Sequence, residues 1–231
     1  MPSVVESNQT QFKRVLWRAV EAQHLVSTMR LVDNKLDDQM LLEQLIETAK
    51  PPLPPGTEGL HWLLAAPFRY LPTHSGSRFR GLHDPGVFYG ARTAQTACAE
   101  CGYWRWRFVR DSAALQILDA HAMSVFDSKI KASLVNLRRA PFNAQRQLWT
   151  DPVNYTETQA FAREARLAGA QAILYESVRD PDAGDCVAVL SPEAFPAGQE
   201  PRAEIWYLTV TPSGAVWQRN HTKTLDFHWV A

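Results

Sequence analysis

The chain has 231 residues, 45% of them apolar and 10% aromatic, so it can bury a full core and its composition argues against disorder. Its 24 basic residues balance 24 acidic ones, which leaves no electrostatic case for nucleic acid or an anionic membrane as the main partner. Three cysteines are too few for a disulfide framework.

The opening MPSVVESNQTQFKR is polar and is expected to fray. It has no basic region followed by an apolar one, and no later stretch approaches a membrane span, so a soluble, cytoplasmic protein is expected. VLWRAV at 15–20 reads as a short first strand carrying Arg18, either a satisfied core or rim cation or a group aimed into a pocket. From residue 37 or 38, Leu41, Leu42, Leu45, Ile46 and Ala49 recur at helical spacing, which predicts a helix with that face buried and an acidic first turn. PPLPPG at 51–56 stops it. HWLLAAPF at 61–68 returns at once to core-like sequence, so the prolines read as a stiff crossover, and RYLPTHSG at 69–76 leads on as a loop.

Residues 77–108 organise the rest. SRFRGLHDPGVFYG predicts two extended pieces, 78–80 and 87–89, around the turn formers His83, Asp84, Pro85 and Gly86. Thr93 then caps a helix in which Ala97, Cys101, Trp104 and Phe108 form one buried stripe. Glu100 stands about 60° from the centre of that stripe. A carboxylate there needs a partner or a ligand. Cys98 and Cys101 form a CxxC, but inside a helix and without a second ligand pair they read as packing, and no metal is expected.

Further on, 114–118, 123–126 and 132–137 read as short strands, and 138–155 as a polar and aromatic loop suited to a pocket wall or lid. Thr156 and Gln159 have capping-box spacing at the head of a helix that Gly169 stops. AQAILYE at 170–176 reads as an inner strand running into Ser177, Arg179 and Asp180, with 187–190 as another. Segments 204–211 and 215–218 predict a hairpin over Pro212, Ser213 and Gly214, with Phe227, His228 and Trp229 packing back on the sheet. Strands outnumber helices without alternating regularly, which favours a mixed α+β fold.

No GxGxxG, Walker, HExxH or GxSxG motif is present. What remains is Arg78, Tyr89, Glu100, Ser177 and Arg179 beside core segments. An arginine fork suits phosphate oxygens, a tyrosine can stack on a ring, and a glutamate can hold a ribose diol or stabilise positive charge at an anomeric carbon. These are parts for a nucleotide-sugar site. The plainer alternative has Arg78 pairing with Glu100, Tyr89 as a core aromatic and Ser177 ending its strand. His24, His61, His74, His83 and His121 are scattered without ligand spacing and read as structural or exposed.

The run SRFRGLHDPGVFYGARTAQTACAE, followed much later by ILYESVRD, resembles the RES domain, named after its Arg, Glu and Ser. Arg78, Tyr89, Glu100 and Ser177 fall on the family's motif positions. LWRAV, HWLLAAPFRY, DPVNYTETQAFAREAR and AVLSPEAF extend the likeness. The resemblance implies a compact fold similar to ADP-ribosyltransferase domains, with residues 1–70 as an N-terminal helical extension packed on a 71–231 catalytic core, in one structural unit. It implies an NAD+-consuming toxin paired with an Xre-like antitoxin. NAD+ is then the substrate and inorganic phosphate the co-substrate, yielding nicotinamide and ADP-ribose 1''-phosphate. Arg78, Tyr89, Glu100 and Ser177 are the expected catalytic residues, and Arg78, Tyr89, Ser177, Arg179 and Arg18 the expected contacts to NAD+ and phosphate. Protein ADP-ribosylation, NAD+ hydrolysis and a non-catalytic interaction module are the alternatives, and self-association is left open.

Overall fold

The computed structural model describes residues 3–22, 35–70, 75–220 and 223–230. The expected positions of His24 and His74, and residues 71–74 of the 69–76 loop, lie outside them. Eight strands form one mixed sheet: β1 (Gln9–Glu21), β2 (Phe88–Ala91), β3 (Leu118–Asn136), β4 (Ala172–Glu176), β5 (Asp185–Val189), β6 (Arg202–Thr211), β7 (Gly214–Arg219) and β8 (Lys223–Phe227). Helices are α1 (Val4–Ser7), α2 (Leu36–Ala49), α3 (Trp62–Arg69), α4 (Ala94–Arg110), α5 (Arg146–Trp149) and α6 (Thr156–Leu167). The α+β expectation holds.

The sheet order is β1-β2-β5-β4-β3-β6-β7-β8, and β1 also pairs with β3. The first five strands therefore close into a ring, with β6, β7 and β8 continuing outward. β3 makes this possible by its length. Its residues 118–127 face β6, its last three pair with β4 in parallel, and its other edge carries β1 from Gln9↔Val135 to Glu21↔Met123. The ring closes between β1 and β2 through one residue pair, Trp17↔Ala91.

Strand alternation sorts the core into faces. Leu16, Phe88, Phe126, Ile130, Leu134, Leu174, Val187 and Val189 share one cluster with Leu64 and Phe68 of α3. Neighbours of opposite parity, Val135, Ile173, Tyr175, Cys186 and Ala188, pack under Phe161, Ala162 and Ala165 of α6. Cys98, Ala99, Trp106 and Val109 of α4 meet Trp206, Leu208, Val210 and Trp217 on the outer strands. Each buried side chain of this kind contributes about 1.5–3 kcal/mol.

Several expectations need correction. Residues 3–14 are ordered where fraying was expected: Ser3 and Glu6 form a capping box on α1, and β1 begins at Gln9. The three short strands read between 114 and 137 belong largely to β3, whose pattern is broken by a register shift between Leu118 and His121 and by Ala120 at φ 43°. Arg78 and Phe79 form the centre of a tight turn, bridged between Ser77 and Arg80, instead of an extended piece. The apolar face of α2 is largely exposed, with Leu41 at 56% and Leu45 at 57%. Periodicity orients a helix without naming what it packs on. The ties of α2 to α3 run through Arg69, which reaches Glu47 at 2.7 Å and the Pro51 carbonyl at 2.5 Å.

Candidate active site

A cavity of about 650 Å³ opens between α4 and the sheet where β1 and β2 diverge. That volume suits a ligand of dinucleotide size. The turn bearing Arg78 forms one side. Its backbone closes on itself, Ser77 N to Arg80 O at 2.7 Å and Arg80 N to Ser77 O at 3.1 Å. The first turns of α6 hold it from behind: Gln159 Nε2 donates to the Ser77 and Arg80 carbonyls at 3.0 and 3.3 Å, and Thr158 Oγ1 donates to the Arg78 carbonyl. The expected capping box is thus absent, because Tyr155 is the N-cap and Gln159 is spent on this turn.

Arg78 donates through Nη1 to the carbonyls of Trp149 and Asp151, each at 2.9 Å, and its guanidinium lies 4.7 Å from the Tyr155 ring centre. It makes no ion pair with Glu100. The 138–155 segment therefore fixes this arginine by its carbonyls, and Tyr155 is its one residue on the cavity wall. Arg179 is fixed in the same way, with Nη2 on the Pro152 carbonyl at 2.5 Å and its guanidinium 3.8 Å from the Tyr103 ring centre. From the C-terminal side, Trp229 Nε1 donates to the Arg179 carbonyl at 2.7 Å.

Tyr89 lines the cavity, but its hydroxyl is committed to the turn, accepting from Phe79 N at 2.9 Å and sharing a hydrogen bond with Ser77 Oγ at 2.7 Å. Burial pushes its pKa up, so it stays a neutral phenol.

Glu100 projects from α4 into the same space. Ser177, at the end of β4 and 2% exposed, donates its hydroxyl to Glu100 Oε1 at 2.5 Å. The Ser177 oxygen in turn accepts from the N–H groups of Arg179 at 3.2 Å and Asp180 at 3.0 Å, which leaves its proton directed at the carboxylate. Burial raises the Glu100 pKa; the Ser177 bond and the charges of Arg78 and Arg179 act against that rise. Ser177 is not among the residues lining the cavity. Its place is behind the carboxylate.

The stripe read on α4 also turns out differently. Its core side is Cys98, Ala99, Gly102, Trp106 and Val109; Ala97, Cys101, Trp104 and Phe108 join Glu100 on the cavity wall, and of these Ala97 is also buried in the core while Trp104 is 49% and Phe108 63% exposed. An apolar stripe beside a carboxylate marked the cleft, not the core. Trp17, Tyr155 and Arg105 are further lining residues that the sequence reading passed over. Arg18 does reach the cavity, from β1. Among the described residues, no three His, Cys, Asp or Glu side chains converge as a metal site would require.

A model of the RES domain family matches residues 53–211. No curated protein matches the chain. Among solved structures, the crystal structure of the M. tuberculosis MbcT-MbcA toxin-antitoxin complex is similar at 10% sequence identity and a TM-score of 0.49, over 97% of this chain and 90% of that chain.

Proposed function

The chain belongs to the RES domain family, and on that premise we propose that it cleaves the nicotinamide glycosidic bond of NAD+ by phosphorolysis, as a toxin held in check by an Xre-like antitoxin. One observation carries the chemistry: a single carboxylate, Glu100, oriented by a buried serine and overlooked by two arginines, in a cleft of dinucleotide size. The curved sheet with α4 beside its split is also how we read the likeness to ADP-ribosyltransferase domains.

In this mechanism Arg78 and Arg179 hold phosphate oxygens of the dinucleotide with donors not spent on the wall carbonyls. Tyr89 offers its ring to the nicotinamide riboside. Glu100, ionised, faces the ribose and stabilises positive charge as the C1''–N bond lengthens, an effect strengthened by the poor dielectric around it. The bonding electrons pass to the pyridinium nitrogen and neutralise it, so the leaving group needs no proton. A phosphate oxygen forms the new bond to C1'', and the phosphate proton is released to solvent. The products are nicotinamide and ADP-ribose 1''-phosphate.

Purified protein freed of antitoxin, incubated with NAD+ and followed by proton and phosphorus NMR, tests this directly. Phosphate-dependent nicotinamide release with a new sugar-phosphate resonance is the expected result. Free ADP-ribose formed irrespective of phosphate would replace phosphorolysis with hydrolysis, and intact NAD+ in both arms of a folded sample would overturn both and leave protein modification or a non-catalytic module.

A further inference from the structure

A second cavity, of about 410 Å³, lies at the other end of the β4–β5 pair. The active-site cavity meets these strands at Tyr175 and Cys186. The second meets the chain at Gln171, just before β4, and at Leu190, just after β5. From Gln171 to Tyr175 the strand runs about 13 Å, and the mechanism above uses no group at this far end.

The cation on its wall is Arg166, in the last turn of α6. Nη2 donates to the carbonyls of Pro85 and Gly86 at 3.2 and 3.4 Å, long for such bonds. Nε and Nη1 are shut off from solvent and have no acceptor among the described residues. The carboxylate that favours its charge, Asp84, is already gripped by Arg163 Nε at 3.1 and 3.2 Å and by Gly81 N at 2.7 Å, while Arg80 and Arg163 oppose it as like charges. Burial therefore lowers the Arg166 pKa. A cation in the last turn suits the helix dipole, but that benefit does not require its donors to be enclosed without acceptors.

The neutral polar groups around it are donors too. The Gln171 carboxamide oxygen accepts from Ser133 N at 3.1 Å, which leaves its NH2 to spare, and the Ser191 oxygen accepts from Glu193 N at 3.3 Å, which leaves its O–H. Neither spare donor has an acceptor among the described residues. Glu193 also lines the cavity, but it is exposed and keeps its own hydration. A pocket whose spare groups are a cation and two neutral donors selects an acceptor that carries negative charge.

We propose that this cavity binds the oxyanion group, carboxylate or phosphate, of a small molecule, held by Arg166 with Gln171 and Ser191. Arg166 meets it by a turn of its outer torsions, trading two long bonds to the Pro85 and Gly86 carbonyls for charge-assisted ones. The proposal stands independently of the NAD+ reading, since the two cavities share no lining residue.

Full-length protein labelled with nitrogen-15, titrated separately with sodium phosphate and sodium acetate at constant pH and ionic strength, tests this by NMR. Saturable shifts of the Arg166 Nε–H, the Gln171 side-chain amide and the Gly169 backbone amide are expected with at least one anion. Saturation by phosphate identifies a phosphoryl ligand; saturation by acetate alone identifies a carboxylate. Arg166→Gln should weaken binding read at Gln171 and Gly169 by roughly tenfold or more, the scale of a charged hydrogen bond, while Gln159 and Arg163 still hold the 77–86 segment. Ser191→Ala leaves the arginine in place, keeps the test decisive if Arg166→Gln disturbs the fold, and should weaken binding by about threefold to tenfold. Shifts that never saturate with either anion overturn the proposal. So do shifts of equal affinity in wild type and both variants, the result expected of phosphate bound only in the active site. A chain that shows the Arg166-dependent shifts yet leaves NAD+ intact would sink the NAD+ reading alone.

Discussion

At the scale of single residues, the pair Ser177 and Glu100 decides most. Glu100→Gln keeps the volume and removes the charge, so turnover should fall by about 10²- to 10³-fold, the usual cost of losing one preorganised electrostatic group, while circular dichroism is unchanged. Ser177→Ala deletes a hydrogen bond to the ionised form, so the Glu100 pKa should climb further. The acid limb of the kcat profile then moves to higher pH, a shift that a loss of packing alone would not produce. These two residues also show what sequence could and could not say. ILYESVRD identified Ser177 by resemblance, and helical spacing put Glu100 beside an apolar stripe. Neither disclosed that the hydroxyl would face the carboxylate, since that contact joins residues 77 positions apart. A serine after a strand looks the same whether it meets a ligand or a neighbour.

At the scale of elements, α6 and the C-terminal segment act as clamps on the site. Gln159→Leu removes the donor that ties α6 to the turn bearing Arg78. The expected outcome is a higher KM for NAD+ with a smaller change in kcat, measured by steady-state kinetics. Trp229→Phe keeps the aromatic packing on Tyr103, Trp106 and Phe227 but loses the N–H on the Arg179 carbonyl. It should raise KM in the same way, with little loss of stability. Gly86→Ala is a structural control of the opposite kind: a Cβ there would fall on the backbone of Phe68, so a loss of about 1–3 kcal/mol is expected from denaturant unfolding. Local signals read these elements unevenly. The Thr93 cap and the Gly169 stop at φ 75° were visible because each is chemistry of one or a few neighbouring residues. The capping-box spacing of Thr156 and Gln159 misled because a long-range acceptor outcompeted the local one. The face of α4 was misassigned because the walls of a cleft and a core share the same apolar periodicity.

For the whole molecule, the buried carboxylate that α4 carries beside the ring of five strands makes stability depend on pH. Glu100 has a raised pKa in the folded state, so between the ordinary glutamate value and that raised value the native chain holds more protons than the unfolded one. Stability from this group is therefore greatest at low pH and falls as pH rises through the window. Glu100→Gln should flatten that slope and unfold no earlier than wild type at neutral pH, read from thermal midpoints between about pH 5 and 8. Residues 53–211 expressed alone lack β1, β7 and β8 and should fail to give a cooperative unfolding transition.

The closure of the ring by β1 against β3 also dictates when the protein becomes itself. These partners lie on the order of a hundred residues apart, so loop-closure entropy must be met before their contacts reward it, which makes folding slow. During synthesis β1 emerges long before β3 and waits with both edges open, save for its one pair with β2. Arg78, Tyr89 and Glu100 are all translated before the strand that encloses them. A nascent chain short of β4 and β5 therefore carries Arg78, Tyr89 and Glu100 without the cleft they line, which closes only once those strands have paired.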